Sequence, residues 1–370
     1  MIFCIITHVV HSKNEKGYFA YSPYINEMNI WLKYVDKVII VAPLENFNQT
    51  DIHNHYLHSN IEFISIAKFN LKSIKGILNS IIKIPNIAYT IYKAINVSNH
   101  IHLRCPGNIG LIASVVQMFF PSKNKTAKYA GNWDPNAKQP LSYKLQKALL
   151  STTFLTKKMQ VLVYGEWKNQ TKNIKPFFTA TYKESEKTET LPKDFSNIIN
   201  FIFVGSLTVG KQPLYALKII ELISKEIKVS LSIYGEGEQK STIEDYVKLN
   251  NLSNIVSLKG NTTRENLIEV YKKSHFLILP SKSEGWPKVV AEAMFWGCLP
   301  IATPVSCISN MLNKSKRGLL LTLNIDQDLN NIKDLIKNES VYIKKVNNAI
   351  IWSRNYTTDK FETEIKKLLH

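Results

Sequence analysis

The stretch FLILPSKSEGWPKVVAEAMFWGCLPIAT, residues 276–303, decides the fold class. An apolar run at 276–280 is followed by a polar loop, an amphipathic segment from Pro287 to Phe295 and a second apolar run at 299–303. This order is typical of a strand, a crossover helix and a parallel strand. We therefore predict a βαβ unit here, with Pro287 in the first helical turn, where its missing N–H costs nothing.

The same alternation extends along the rest of the chain. Further strands are predicted at residues 2–9, 37–43, 61–67, 100–105, 127–133, 159–165, 200–205, 229–235 and 254–260. Strands that are apolar along their whole length are typical of parallel sheets covered by helices on both faces. We therefore predict an α/β protein with two Rossmann-like parallel-sheet domains that face a central cleft.

A polar segment without apolar periodicity, residues 183–197, predicts a linker between the two domains. The N-terminal domain is expected at 1–190 and the C-terminal domain at 198–345. The remaining segment, 346–370, is predicted to end in a helix that crosses back to the first domain.

Length and cysteine content restrict the class of protein. The chain of 370 residues is long enough for two cores. Its four cysteines form no CxxC pair, which indicates reduced thiols in a cytosolic protein. The apolar N-terminus has no basic leader, so it predicts a first strand, and no apolar run reaches the roughly 18 residues of a spanning helix.

The formal net charge of +18 comes almost entirely from lysine. Between Lys123 and Lys175 there are eleven lysines and two acidic residues, Asp134 and Glu166. The segment is either a solvated surface or a face that meets an anionic membrane. We expect weak peripheral contact with such a membrane through these lysines.

Glycine-rich loops follow the predicted strands of the C-terminal half. Gly205 and Lys211 lie in the loop after the strand at 200–205, and Gly235 and Gly237 in the loop after 229–235. Glycine lets a backbone approach a ligand closely, and helix N-termini offer amides to anions. Several such loops at one sheet edge predict a nucleotide or phosphate ligand.

Two glutamates bracket the start of the helix in the opening stretch. Glu284 precedes it and Glu292 lies about one and a half turns inside, among apolar residues. Carboxylates accept hydrogen bonds from sugar hydroxyls. Glu284 as a helix cap, Glu292 as a surface residue and Lys288 as a solvated lysine remain the simpler alternatives.

At this point the sequence resembles glycosyltransferase family four, a group of retaining nucleotide-sugar transferases with the GT-B fold. The family signature is a Glu, seven residues, a second Glu, then Ala-Met and Gly-x-Pro before a strand. Here these positions are Glu284, Glu292, Ala293, Met294, Gly297 and Pro300. The resemblance covers roughly residues 201–303, where FVGSLTVGK and LSIYGEGE match the family's preceding loops.

The resemblance implies roles for individual residues. Glu284 bonds hydroxyls of the donor sugar, and Glu292 bonds those of the ribose. Lys211 neutralises the diphosphate, and the amides of Gly285 and Trp286 face sugar and diphosphate. The implied catalytic residues are Glu284 and Lys211, and the remaining implied donor-binding residues are Gly205, Ser206, Gly235, Gly237, Gly285, Trp286, Pro287, Lys288 and Glu292.

One departure concerns Ser206, which stands where the family usually has an arginine. The diphosphate loses a cation there. We hypothesise that Lys288 or Arg104 replaces it.

The resemblance implies transfer with retention at the anomeric carbon, by attack on the same face as the leaving group. No Asp-x-Asp motif stands in the right place, so we expect no metal and no cofactor beyond the nucleotide diphosphate sugar, with UDP or GDP as the nucleotide. Glu284 is not expected to be a nucleophile, because a glycosidase needs a second carboxyl about 5–5.5 Å away. The expected function is glycosyl transfer to a glycan or lipid-linked acceptor in cell-surface polysaccharide biosynthesis.

Strand ends of the N-terminal half supply candidates for the acceptor side of the cleft. These are His8, Arg104, Asn132 and Asp134, chosen from position alone. Base, sugar, acceptor, linkage and oligomeric state are not encoded in any pattern of this sequence.

Two rival functions fit parts of the pattern. A GT-B nucleotide-sugar epimerase shares the donor site but needs no acceptor. A noncatalytic sugar-binding or nucleic-acid-binding protein is supported only by the charge, and the sequence has no RNA-binding signature, so no nucleic-acid partner is expected. The expected localisation is cytoplasmic, with peripheral contact at the inner face of the plasma membrane.

Overall fold

The computed structural model describes residues 1–69, 74–190 and 193–369, with side chains from residue 82 onward in the helix that begins at Ile74. The chain forms two compact units, Met1–Phe178 with Phe361–His370, and Thr179–Lys360. The predicted N-terminal domain ended at 190, whereas residues 179–190 group with the second unit. Leu191 and Pro192 of the predicted linker lie outside the described residues.

Within its described residues, the first unit contains ten strands and four α-helices, followed by part of the final helix. Its strands are β1 (Ile2–Ile6), β2 (Ser12–Asn14), β3 (Gly17–Tyr21), β4 (Lys37–Ala42), β5 (His53–His55), β6 (Ile61–Ser65), β7 (His100–Cys105), β8 (Asn124–Tyr129), β9 (Met159–Tyr164) and β10 (Ile174–Phe177). Its helices are α1 (Ser22–Trp31), α2 (Ile74–Val97), α3 (Asn108–Val116) and α4 (Leu141–Ser151).

A seven-stranded parallel sheet forms the centre of this unit, in the order β10-β9-β8-β7-β1-β4-β6. The six predicted strands are present, with ends that differ by up to about four residues. β10 was not predicted, because it is short and contains Pro176. The small antiparallel sheet β2-β3-β5 was also missed.

The two faces of this sheet differ in chemistry. One face is apolar, and α2, α3 and α4 pack their inward residues on it as one core. The other face carries buried polar groups, among them His100, His102 and Lys128. The ammonium of Lys128 lies 3.5 Å from the carboxylate of Glu27, a residue of α1, and donates to the carbonyl of Phe178 at 2.9 Å. A buried charge is tolerated when it is paired and hydrogen-bonded, as this one is.

The expectation that the lysines of 123–175 form one surface is partly wrong. Lys123 donates to three carbonyls at the end of α2, and Lys125 donates to Gln117. Lys128 is buried, and Lys147 donates to the carbonyls of Trp133 and Asp134. Backbone carbonyls are strong acceptors, and these four lysines donate hydrogen bonds to them within the unit. The other seven lysines of the segment are exposed.

The second unit repeats the strand–helix alternation. Its strands are β11 (Ile199–Val204), β12 (Val229–Tyr234), β13 (Val256–Gly260), β14 (Phe276–Leu279), β15 (Leu299–Ala302) and β16 (Leu319–Leu320). Its helices are α5 (Pro213–Ser224), α6 (Lys240–Leu249), α7 (Arg264–Lys273), α8 (Lys288–Phe295), α9 (Ile308–Met311), α10 (Ile325–Lys337) and α11 (Glu339–Ser353). The last helix, α12 (Thr358–Leu369), begins in this unit and continues in the first from Phe361.

These strands of the second unit form one parallel sheet in the order β13-β12-β11-β14-β15-β16. β11 and β14 are neighbours in the centre, although 71 residues lie between Val204 and Phe276. The loops that follow these two strands therefore meet at one edge of the sheet. This arrangement confirms the predicted fold class of two Rossmann-like parallel sheets.

Within the described ranges, no helix combines the length and apolarity that crossing a bilayer requires. The four cysteines are free thiols in buried positions.

Candidate functional site

Lys211 and Glu284 come together at the carboxyl ends of β11 and β14. The Nζ atom of Lys211 lies 2.5 Å from Oε1 of Glu284. The Glu284 side chain is 8% exposed and that of Lys211 is 26% exposed, so the pair is partly shielded from water. The two residues expected to be catalytic thus form one ion pair.

Backbone and side-chain hydrogen bonds fix the loop that carries Glu284. The amide of Lys282 donates to the carbonyl of Gly210 at 2.8 Å and joins this loop to the one that holds Lys211. On the other side, Ser306 Oγ and Cys307 Sγ each donate to the carbonyl of Gly285 at 3.1 Å. Burial, with a smaller contribution from the Glu284 carboxylate, raises the pKa of Cys307 to about 12, so this thiol remains protonated and acts as a donor.

Helix α8 begins at Lys288, one residue later than predicted, and Pro287 is its N-cap. The carbonyl of Pro287 accepts from the amide of Val290 at 3.0 Å. No side chain caps the helix among the described residues, and its first turn has no acidic residue. The positive end of the helix dipole is therefore not neutralised by an acid of its own turn.

Lys288 and Glu292 are four residues apart on α8 and therefore share a helix face. Both line a small pocket of the second unit together with Trp286 and Tyr356. Trp286 stacks on Trp352 with ring centroids 6.2 Å apart. The pocket thus has one cation, one carboxylate and an aromatic wall.

Two hydroxyl groups hold Glu292. Thr181 donates to Oε1 at 2.7 Å and Tyr271 donates to Oε2 at 3.3 Å. Burial and the nearby Glu292 charge raise the pKa of Tyr271, which keeps its hydroxyl protonated as a donor. A carboxylate accepts about four hydrogen bonds, so Glu292 retains acceptor capacity for a ligand.

The glycines of the second unit have a packing role. Gly235 has a φ of +134°, and a Cβ atom there would lie 2.0 Å from the carbonyl oxygen of Gly205. A Cβ atom at Gly237 would lie 2.5 Å from the carbonyl oxygen of Leu207. Contact between the two loops therefore requires both glycines, whatever the ligand.

The structure bears on the proposed substitutes for the missing cation. Ser206 is exposed next to Gly205. Lys288 lies at the first position of α8, and no ion pair to it occurs within the described part of the chain. Arg104 is 16% exposed and 3.3 Å from the Glu27 carboxylate, so a residue of its own unit already engages it. Of the two candidates, Lys288 is the one whose charge is not already committed.

His8 lines a pocket of the first unit, and Pro106, Lys68 and Tyr143 line the same pocket. Its ring packs on Gly107, where a Cβ atom would lie 2.9 Å from Nδ1. Desolvation, followed by the positive charge of Arg104, holds the pKa of His8 below its ordinary value. The ring therefore favours the neutral form, which both donates and accepts.

Asn132 and Asp134 have local partners. The side chain of Asn132 accepts from the amide of Asp134 at 2.9 Å, and Asp134 accepts from the amide of Asn136 at 2.9 Å. These contacts are typical of Asx turns. They account for both residues by loop geometry and bring neither into the pocket that contains His8.

Sequence reasoning missed Thr181, Tyr271, Ser306 and Cys307. The first two hold Glu292, and the last two hold the Gly285 carbonyl. None belongs to a motif, and only the hydroxyl or thiol character of each side chain was visible. As for metals, no cluster of three or more His, Cys, Asp or Glu arranged to hold an ion occurs in the described ranges.

Comparison with known proteins finds a family match within the second unit. Residues 185–352 match the family described as Glycosyl transferases group 1. An uncharacterized glycosyltransferase of Methanocaldococcus jannaschii is 29% identical over 168 residues, which are 45% of this chain and 46% of that protein. The chain thus spans about half the length of the curated relatives it matches.

A second relative and a solved structure extend the comparison. The GalNAc-alpha-(1->4)-GalNAc-alpha-(1->3)-diNAcBac-PP-undecaprenol alpha-1,4-N-acetyl-D-galactosaminyltransferase of Campylobacter jejuni is 26% identical over 48% of this chain and 52% of its own. HepE of Anabaena, solved in complex with UDP and glucose, superposes with a TM-score of 0.65 at 13% identity, over 100% of this chain and 99% of that one. Residues 185–352 therefore match the glycosyl transferases group 1 family, in a chain that has the GT-B fold.

Proposed function

We propose that the protein is a metal-independent, retaining glycosyltransferase. It transfers a sugar from a nucleotide diphosphate sugar to a glycan or lipid-linked acceptor in the biosynthesis of a cell-surface polysaccharide. The observation that carries the proposal is the Lys211–Glu284 ion pair at the adjoining ends of β11 and β14, within the residues that match the glycosyl transferases group 1 family.

Glycosyl transfer places negative charge on the departing diphosphate, and the protein's main task is to stabilise that charge. Preorganised cations and dipoles are the effective means in a shielded site. Lys211 supplies a cation, and α8 supplies the positive end of a helix beginning at Lys288. Lys288 is the proposed substitute for the arginine that Ser206 replaces.

Glu284 acts as a hydrogen-bond acceptor for the donor sugar. Lys211 keeps its charge balanced, so the carboxylate holds a hydroxyl and does not attack carbon. The acceptor hydroxyl attacks the anomeric carbon on the face from which the phosphate leaves, and the leaving phosphate oxygen takes the hydroxyl proton. That geometry retains the configuration without a covalent enzyme intermediate.

Glu292 binds the ribose hydroxyls, held in orientation by Thr181 and Tyr271. UDP is one expected nucleotide, supported by the UDP bound to HepE, whose fold this chain shares. GDP is the other, because no residue of the pattern selects the base. A lipid-linked glycan as acceptor is supported by the Campylobacter jejuni relative, whose name gives a diNAcBac-PP-undecaprenol glycan as the substrate to which it adds N-acetyl-D-galactosamine.

The proposed location is the cytoplasm, with peripheral contact at the inner face of the plasma membrane. Lipid-linked acceptors reside there, and seven of the lysines between 123 and 175 are exposed.

The test is incubation of the protein with UDP- and GDP-sugars, with and without a polyprenyl-diphosphate glycan. We expect acceptor-dependent release of one nucleoside diphosphate and an α-linked product from an α-linked donor. The variant Glu284→Gln should lose this turnover, whereas Glu244→Gln, on the exposed side of α6, should keep it. An inverted product would contradict the retaining mechanism.

The same incubation separates the rival functions. An epimerase converts the donor sugar without an acceptor, so a changed sugar in the acceptor-free sample identifies it. A noncatalytic protein binds a nucleotide or a glycan and releases nothing.

A further inference from the structure

The outer side of α2, α3 and α4 forms one continuous surface of the first unit. α2 packs against α3 and α3 against α4, and their inward residues share one core on the same face of the sheet. We call this surface the helical face and include in it Phe119 and Phe154, which follow α3 and α4 in the chain. On α4 and on α2 from residue 82 onward, outward residues such as Leu141, Lys144 and Ile82 are exposed.

Large apolar side chains project from the helical face. On α4, Leu141 and Leu145 share the outward side at i and i+4, while Gln146 and Leu150 face inward. Leu141 is 82% exposed, and Phe154, just after the helix, is 76% exposed. Helix α4 already packs one side into the core, so its outward apolar side chains contribute nothing to the core of this unit.

The two neighbouring helices continue this pattern. Ile82 and Tyr89, seven residues apart on α2, are exposed, with Ile82 at 75%. Phe119, after α3, is 70% exposed. Single exposed apolar residues are ordinary, but clusters of them on one side of a domain mark an interaction surface.

The charge of this region has one sign. From residue 63 to residue 165 the sequence has a single acidic residue, Asp134, and α2, α3 and α4 have none. Exposed lysines accompany the apolar residues: Lys83 and Lys93 on α2, Lys144 on α4, and Lys157 and Lys158 beyond it. The ammonium groups of Lys93 and Lys157 lie 4.4 Å and 5.4 Å from the ring centres of Tyr89 and Phe154, respectively.

Apolar residues and lysines without acids complement one kind of surface. Lysine ammonium groups meet lipid phosphates, while Leu, Ile and Phe enter the boundary between headgroups and acyl chains. Nucleic acid matches the charge and leaves the aliphatic side chains in water. A region of 103 residues with a single acidic residue complements a uniformly anionic surface better than the mixed charges of a protein partner.

We propose that the helical face docks flat on an anionic phospholipid bilayer. This proposal extends the membrane contact stated with the proposed function, because it names the surface that makes the contact. The lysines supply attraction at long range, and the apolar side chains supply binding that salt does not screen. The inference rests on the proposed function only for its biological purpose, because lipid binding requires neither donor nor acceptor.

The test is co-sedimentation of the full chain with sucrose-loaded vesicles of phosphatidylcholine alone or with about one third phosphatidylglycerol, at low and at high salt. We expect binding to the anionic vesicles, weakened but not abolished by salt, and at least tenfold weaker binding to phosphatidylcholine alone. Absence of binding to anionic vesicles overturns the inference.

Two variants test the apolar and the charged side chains of the helical face separately. In the apolar variant, Leu141, Leu145 and Phe154 become Ser, and in the charge variant, Lys144, Lys157 and Lys158 become Gln. Each should weaken binding to anionic vesicles at least tenfold. All six side chains are exposed, so the fold should survive, and unchanged unfolding curves check that it does.

The matched controls lie elsewhere on the chain. Leu57, Leu249 and Ile351 become Ser in one control, and Lys225, Lys248 and Lys273 become Gln in the other; all are exposed. Both controls should bind as the wild type does. If controls and variants lose binding equally, the attraction is a property of net charge and the helical face has no special part.

One further outcome distinguishes a lipid bilayer from other polyanions. If the charge variant loses binding but the apolar variant does not, the face is a cationic surface for any polyanion, and the bilayer assignment is wrong. Stabilisation by nucleoside diphosphates is measured on the same variants. It is also measured on the wild type. A wild type that nucleotides stabilise but that binds no anionic vesicles contradicts this inference alone, and a wild type that binds the vesicles but that no nucleotide stabilises contradicts the proposed function alone.

Discussion

The Nζ atom of Lys211 lies 2.5 Å from Oε1 of Glu284, so one ion pair joins the loop after β11 to the loop after β14. The carboxylate is the more buried partner. Lys211 thus balances a shielded carboxylate and keeps enough access to solvent to meet the ligand phosphate that we propose.

Replacing Lys211 by Met should affect stability and activity differently. The Glu284 carboxylate loses its counter-charge, so the free energy of unfolding should fall by about 1–3 kcal/mol. Turnover should fall roughly 100-fold to 1000-fold because the leaving diphosphate loses a stabilising charge. Urea unfolding and steady-state kinetics measure the two effects.

The double variant Lys211→Met, Glu284→Gln provides the control. It removes the uncompensated charge, so it should be more stable than Lys211→Met alone, yet equally inactive. A double variant that is less stable than the single one would show that the ion pair does not govern this loop.

Thr181 and Tyr271 should act by positioning Glu292. Thr181→Val and Tyr271→Phe each remove one hydroxyl donor to that carboxylate. A hydrogen bond of this kind contributes about 0.5–1.5 kcal/mol, so KM for the donor should rise about 2-fold to 12-fold with little change in kcat. Tyr246→Phe, which removes a hydroxyl bound to Glu221 on the outside of α5, is the matched control. Equal KM values in all three variants would remove Glu292 from donor binding.

Gly235 should be intolerant of a side chain. Gly235→Ala places a Cβ atom 2.0 Å from the Gly205 carbonyl oxygen and demands a positive φ. We expect a loss of more than about 2 kcal/mol of unfolding free energy. Gly210→Ala is the control in the neighbouring loop, since its Cβ atom meets Thr208 Oγ1 at 3.8 Å, an ordinary contact. Equal stability of the two variants would contradict the packing of these loops.

Stability should decrease in mild acid because histidines are buried in the neutral form. Burial lowers the pKa of His11 and of His100 to about 4 each. The unfolded chain takes up protons from about pH 6.5 downward, whereas the folded state does so only near pH 4. Stability is therefore present above pH 6.5 and is lost between pH 6.5 and 4, by up to about 3 kcal/mol for each histidine.

Urea unfolding of the wild type and of His100→Gln at pH 7 and pH 5 checks this expectation. The variant keeps a polar side chain near Thr126, the partner of His100. It should lose less stability than the wild type between the two pH values. An equal loss in both proteins would assign the acid sensitivity to other groups.

The sequence predicted the parts of the site that follow directly from strand ends. The loops with Lys211 and Glu284 were expected at one edge because parallel strands bring their carboxyl ends together, whereas the adjacency of β11 and β14 was not predicted. Glu292 was singled out by the family resemblance, whose signature has a second glutamate at this spacing from Glu284. The start of α8 was predicted one residue early, since Pro287 is compatible with both the N-cap and the first turn.

Contacts between distant segments were beyond such reasoning. Thr181 and Glu292 are 111 residues apart, and no periodicity links them. The sequence gives the charge of a lysine but not its direction, so Lys125 and Lys128 were assigned to the surface although carbonyls and carboxylates hold them inside. Packing of the Gly235 loop on Gly205 likewise emerged only from the fold, where the sequence had suggested a ligand.

The central claim is that the second unit binds a nucleoside diphosphate through Glu292 and its neighbours. Thermal unfolding of the wild type and of Glu292→Gln with UDP, GDP, ADP and CMP tests it most directly. We predict that UDP or GDP stabilises the wild type, by about 2.7 kcal/mol at 100 times its dissociation constant, and that the variant loses most of this effect. No stabilisation by any nucleotide, or equal stabilisation of the variant, would contradict the account.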